Sequence, residues 1–171
     1  ERWGFCISQY EFDKLKDGTY KVIVDTKLFD GVLNYGELII EGEVKEEVFL
    51  STYVCHPSMA NNELSGPTVV TFLAKWLSNL RNRKYTYRII FIPETIGSIT
   101  YLSQNYGEMK ERVIAGFNVS CVGDDRTYSF LPSRDGQTIS DKVARHVLKW
   151  LAPDYVNYSW IDRGSDERQY C

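Results

Sequence analysis

Hydrophobic and polar positions divide the chain into two stretches of different character. Up to about residue 45 the pattern alternates and turns. Residues 19–26 read Thr-Tyr-Lys-Val-Ile-Val-Asp-Thr, and residues 36–43 place Leu38, Ile39 and Ile40 at the centre of a second strand. Asp17-Gly18 and Asp30-Gly31 supply turn dipeptides. This predicts a small antiparallel β module over 1–45. Beyond it the order becomes strand 48–54, helix 65–81, strand 87–92, helix 95–105 and strand 113–119. A polar loop, a helix over 138–151 and a strand over 155–160 complete it. Strands alternating with helices imply crossover connections. The predicted fold is therefore an α/β core over 46–171, a mixed, mostly parallel sheet flanked by helices.

Composition narrows the classes. Of 171 residues 43% are hydrophobic and 14% aromatic, enough to build a core. The net charge of −3, with no basic run, argues against nucleic acid as a partner. No apolar stretch approaches the ~18 residues of a membrane span. Cys6, Cys55, Cys121 and Cys171 show no paired spacing and read as reduced, mostly buried thiols, as expected of a cytoplasmic protein. The chain opens Glu1-Arg2-Trp3, without an initiator methionine, which suggests a piece of a longer protein.

The chemistry gathers at predicted strand ends, where open α/β sheets bind ligands. The strand over 48–54 delivers Cys55-His56-Pro57, then Asn61-Asn62-Glu63 before the Ser65-Gly66 that opens a helix. Imidazole is the commonest metal ligand, and Asn and Glu oxygens stand nearby. The strand over 87–92 delivers Pro93-Glu94, a carboxylate able to bind metal or take a proton from an activated water. The strand over 113–119 delivers Ser120-Cys121-Val122-Gly123-Asp124-Asp125, whose carboxylates suit metal coordination or a substrate ammonium. Near the C-terminus, Asp162-Arg163-Gly164-Ser165-Asp166-Glu167-Arg168 is densely charged. His146 lies in an amphipathic helical pattern and reads as a surface or packing residue.

The phrases CHPSMANNELSGP, PETIGSI, GDDRTYSFLPSR and RGSDERQYC, in that order over 48–171, resemble the zinc-dependent aminopeptidase family. They resemble most closely its bacterial aminopeptidase-like members associated with surface-polysaccharide biosynthesis. The resemblance implies hydrolysis of a peptide or amide bond, with the 1–45 module lying over the core. It places His56 at the first zinc ligand, Asn62 at the metal-bridging carboxylate and Glu94 at the general base and acid. Thr95 and Ser120 fall where the family carries further carboxylate ligands, and Ser165-Asp166 match its Ser-Asp phrase, with Glu167 in place of His. Neutral Asn62, Thr95 and Ser120 offset less charge than carboxylates, so one Zn²⁺ is expected rather than two. The family's last His ligand has no match before Cys171, so on the resemblance it either lies in sequence beyond this chain or is missing from the protein, the first being favoured by the absent initiator methionine. The resulting expectation is Glu94 as catalytic residue, with His56, Asn62 and Asp124 on the metal. Glu63, Asp125, Asp166 and Glu167 are expected to face the substrate. A catalytically degenerate binding or assembly protein in polysaccharide biosynthesis is the alternative.

Overall fold

The computed structural model describes residues 4–162 and 164–171. The first three residues of the expected 1–45 module and Arg163 of the charged run lie outside them. The chain falls into two units, residues 1–31 and 32–171. The described part of the first holds one short helix, α1 (Gln9–Phe12), begun by Ser8, whose Oγ accepts from the Glu11 N–H at 3.2 Å. Residues 19–26 form no strand, and Val22, Ile23 and Val24 are exposed. Among the described residues of 1–45 the expected antiparallel module therefore does not form. Alternation proposes a strand, but a strand holds only where a second one pairs with it.

The second unit contains β1 (Gly36–Ile40), β2 (Glu47–Tyr53), α2 (Ser65–Asn79), β3 (Thr86–Ile92), α3 (Ile96–Arg112) and β4 (Val113–Asn118). The strands lie in the order β1-β3-β2-β4. β1 runs antiparallel to β3, so the segment expected in the N-terminal module belongs to the core sheet. β2 pairs in parallel with both β3 and β4. Tyr53 sits beside Ile92 in this register, so the chain leaves β2 and β3 at the same edge of the sheet. The expected strand over 155–160 is reduced to β6 (Val156–Asn157), which pairs with β5 (Ser129–Phe130) in a separate two-stranded sheet. Between them runs α4 (Ile139–Leu151), started by a capping box of Thr138 and Asp141.

The strand pleat sends alternate residues to opposite faces. Leu50, Ile89 and Ile40 meet Val70, Ala74 and Leu77 of α2 on one face. Phe49, Ile90 and Ile92 meet Tyr101 and Met109 of α3 on the other. Along β3 the buried run Arg88-Ile89-Ile90 serves both. Arg88 is admitted because Glu47 meets it with two bonds of 2.6 and 3.1 Å, while Tyr101 accepts a third at 3.0 Å. The last short helix, α5 (Glu167–Tyr170), docks on β2: Tyr170 stacks edge-on with Phe49 at 4.8 Å, and its hydroxyl lies 3.0 Å from Ser51 Oγ. That contact carries the residues before α5 to the sheet's carboxyl edge. At the start of α2, a Cβ on Gly66 would lie 2.2 Å from the Val119 carbonyl oxygen. Only glycine lets α2 begin so close to the exit of β4.

Candidate functional site

Past Tyr53 the chain turns through Cys55 and His56, then enters one π-helical turn, Ala60–Leu64, that leads into α2. Such turns widen the helix by one residue and recur at functional sites. Here the turn carries Glu63 back beneath the strand end. Glu63 Oε2 accepts from the Cys55 N–H at 2.6 Å, and Oε1 lies 2.8 Å from His56 Nδ1. Glu63 is only 2% exposed. Burial alone would raise its pKa, but the Cys55 N–H and the His56 ring more than offset this and hold it below the usual carboxylate value. A carboxylate facing Nδ1 suits the tautomer with its proton on that nitrogen, in which Nε2 keeps its lone pair. Cys55 Sγ lies 3.0 Å from the same Nδ1, 3.6 Å from Glu63 Oε1 and 3.7 Å from Glu94 Oε2. Partial removal from water, with the nearby carboxylates of Glu63 and Glu94, pushes the Cys55 thiol up to about 11.

Glu94 leaves β3 through a γ-turn: Thr95 has φ 61° and ψ −66°, and the Ile96 N–H donates to the Glu94 carbonyl at 2.7 Å. This turn of positive φ is rare and strained, most of all for a β-branched residue. It is held from the far end of the chain. Asp166, fully buried, accepts the Thr95 N–H at 2.7 Å and the Ser98 hydroxyl at 3.0 Å on a single oxygen. Beside it the Ser165 hydroxyl donates to Glu94 Oε1. Glu167 accepts from the Ser165 N–H at 2.6 Å and from the Asn118 side chain at 3.0 Å. Ser165, Asp166 and Glu167 thus fix the carboxylate of Glu94, the turn behind it and one another.

Two of the expected site residues meet: one ligand atom from each of His56, Glu94 and Cys55 lies within 4.8 Å of the others. Glu94 also lines a cavity of about 1120 Å³, together with Asn62, Asn118, Ser120, Ser165 and Glu167. Among the described residues, three buried side-chain oxygens find no partner: Asn62 Oδ1, Asn118 Oδ1 and Asp166 Oδ2. Asn62 and Asn118 both face the cavity. The other expected residues make other contacts. Asp124 lines the cavity but is turned to Arg126, at 3.0 Å, and to the Asn61 amide, also at 3.0 Å. The Arg126 guanidinium holds its carboxyl down at about 2, and it is absent from the His56–Glu94 group. Glu63 is buried against the Cys55 N–H and the His56 ring, and Asp166 is buried with one oxygen on the Thr95 N–H and the Ser98 hydroxyl. Asp125 is exposed and is not among the cavity-lining residues. Glu167 does line the cavity.

Two contributors stand outside the expected set. The four cysteines, expected to be mostly buried, are not: Cys6, Cys55 and Cys171 are exposed and Cys121 is half-buried, and Cys55 is ringed by polar groups. Its position next to His56 at a strand end is the signal that marks it. Ser165 sat inside the recognised Ser-Asp phrase, and its hydroxyl takes the Glu94 contact.

Residues 8–171 match the model of a family described as "Domain of unknown function (DUF4910)". A protein of Clostridium acetobutylicum named "Putative polysaccharide biosynthesis protein with aminopeptidase-like domain" is 45% identical over 170 residues. The match covers 99% of this chain and 39% of that protein. A crystal structure of a "putative peptidase" from the same organism superposes with a TM-score of 0.83 at 45% identity, over 99% of this chain and 40% of its own. The chain therefore spans about two fifths of the length of these relatives.

Proposed function

The chain belongs to the DUF4910 family of domains of unknown function, and we propose that its strand-end site hydrolyses a peptide or amide bond with one zinc ion. The observation that carries this is Glu94: one carboxylate oxygen is held by the Ser165 hydroxyl, and the other is directed at the Cys55–His56 pair beside an open cavity. The names of the relatives, peptidase and aminopeptidase-like, agree with such chemistry.

The residues suit the ion. The buried carboxylate of Glu63 on Nδ1 orients the His56 ring and leaves Nε2 as donor, an arrangement usual behind metal-binding histidines. The unpartnered Oδ1 of Asn62 is a second donor facing the same cavity as Glu94. His56 and Asn62 would hold the ion, and zinc when bound supplies Lewis acidity to the scissile carbonyl and the attacking water. Glu94 Oε2 takes the proton of that water as its oxygen bonds to the carbonyl carbon. The same proton then passes to the departing nitrogen as the C–N bond breaks. Ser165 keeps Oε1 from turning into that role, and Glu167 keeps Ser165 in place.

A second reading is a protein that binds its ligand without cleaving it, in polysaccharide biosynthesis. It is favoured by neutral Asn62 and Ser120 on the cavity wall, at positions where the resemblance expects carboxylates. The two readings separate by metal analysis and turnover of aminoacyl amides. On the hydrolase reading, zinc binds at one ion per chain, and Glu94→Gln keeps zinc and fold while losing about 10²–10⁴-fold in rate. His56→Ala loses the ion. Zinc bound without turnover by the wild type supports the binding reading. Turnover unchanged in Glu94→Gln removes the hydrolase mechanism.

A further inference from the structure

We propose that Cys55 is a direct ligand of the ion, so that the centre is a mixed thiolate–imidazole site. This rests on the zinc reading above and adds a donor that it did not require. Cys55 and His56 are neighbours in sequence, and in a strand their side chains would point to opposite faces. Here Sγ lies 3.0 Å from Nδ1. The backbone has been turned so that both side chains gather on one side, and Glu63 fixes the turn by binding the Cys55 N–H and the His56 ring together. Across from them, Glu94 Oε2 is 3.7 Å from the sulfur. Ligand atoms in a tetrahedral zinc shell, at about 2.0–2.3 Å from the metal, lie roughly 3.3–3.8 Å apart. One donor atom each of Cys55, His56 and Glu94 lies within 4.8 Å of the others, so sulfur and imidazole can share an ion while Glu94 stays near enough to serve as the base. Cys55 and His56 are both exposed, with room for their side chains to close on an ion.

The charge argument points the same way. A site that offers Asn62 in place of a carboxylate holds a dication poorly. A thiolate at Cys55 restores one negative charge at the first shell. It also changes which metals are favoured, because thiolates select zinc, cobalt and cadmium over magnesium, calcium and manganese. A buried packing role does not suit Cys55, whose sulfur is exposed and surrounded by imidazole and carboxylates.

Cobalt replaces zinc in such sites and reports sulfur ligation directly, through a near-ultraviolet sulfur-to-cobalt charge-transfer band. Titration of the metal-free chain with Co²⁺ should produce that band, saturating at one equivalent. Cys55→Ser, with circular dichroism confirming its fold, should lose the band, while Cys121→Ser, altering the thiol that lines the cavity, should keep it. The wild type gives a second measurement that needs no variant. One equivalent of Zn²⁺ should protect Cys55 from iodoacetamide, as located by mass spectrometry, whereas Mg²⁺ should not. Cobalt bound without the band, the band retained in Cys55→Ser, or Cys55 alkylated equally with and without Zn²⁺ overturns the thiolate ligand and leaves the zinc reading standing. A chain that binds neither Co²⁺ nor Zn²⁺ overturns both.

Discussion

The strained turn behind Glu94 and the buried Asp166 that clamps it should be energetically coupled, and a double-mutant cycle of Thr95→Gly and Asp166→Ala measures the coupling. Asp166→Ala deletes the acceptor of the Thr95 N–H and of the Ser98 hydroxyl. Hydrogen bonds to a charged group are worth about 1.5–3 kcal/mol each, a gross loss of about 3–6 kcal/mol. Part is returned, because burial, reinforced by the nearby Glu94 and Glu167 carboxylates, raises the Asp166 pKa. A carboxylate that resists ionisation in the fold was not a free anchor. The expected net cost is about 3 kcal/mol. Thr95→Gly acts in the opposite direction. A non-glycine residue held at φ 61° stores about 1–3 kcal/mol. Glycine removes that strain and gives back about 0.5–1 kcal/mol through the greater freedom of its unfolded chain. The variant should therefore be between neutral and about 2 kcal/mol more stable. Once the turn is unstrained, the clamp has less to hold, and Asp166→Ala should cost about 1 kcal/mol less in the glycine background than in the wild type. Urea titration of the four proteins, with m compared across them, supplies the numbers. Strict additivity, or an Asp166→Ala that costs less than about 0.5 kcal/mol, would refute the clamp.

Two further outcomes follow from buried carboxylates. Asp141 is 1% exposed and accepts from the N–H and hydroxyl of Ser133 and of Thr138 at 2.6–2.9 Å. Burial would raise its pKa, but these donors win and lower it. A depressed folded-state pKa adds stability above the unfolded value near 3.9 and loses it as pH falls through the folded value. Asp141→Asn should thus cost on the order of 2 kcal/mol at neutral pH and progressively less below pH 4 in thermal melts; a pH-independent cost would contradict this. Glu63→Gln keeps the shape beneath His56 and removes the charge. Zinc affinity, read by chelator competition, should fall about 10–100-fold, and an unchanged affinity would show that Glu63 serves only the fold.

The core sheet was readable because its pattern has one solution. The runs in β2 and β3 are apolar on both faces, which only a strand covered by helices on each side satisfies. Once these two strands are parallel neighbours, His56 and Glu94 must leave from the same edge, and their meeting needs no further information. The N-terminal region failed for the complementary reason. Residues 19–26 and 36–43 both carry a short apolar centre that reads as a strand, yet strand formation depends on a partner elsewhere in the chain. Leu38, Ile39 and Ile40 pair with β3 and Ile40 is buried there, whereas residues 19–26 form no strand.

Which strand ends gather polar residues was legible, but which carboxylates meet His56 and Glu94 was not, and the carboxylates show why. Glu63, Asp124, Asp125, Asp166 and Glu167 look alike as letters in polar segments. What separates them is which backbone N–H groups each one meets. Glu63 is drawn under the strand end by a π-helical turn that its own loop gives no reason to expect, and Asp166 reaches the far end of β3 only because Tyr170 is seated on Phe49 and Ser51. Neither event is local in sequence. Cys55 was misread through the opposite error, a general average that this chain does not follow, since none of its four cysteines is buried. Most unpaired thiols are buried and inert, but one that stands beside a histidine at the carboxyl edge of a parallel sheet occupies the location where such folds keep their chemistry. A thiol at such a position merits testing as a ligand before it is assigned to packing.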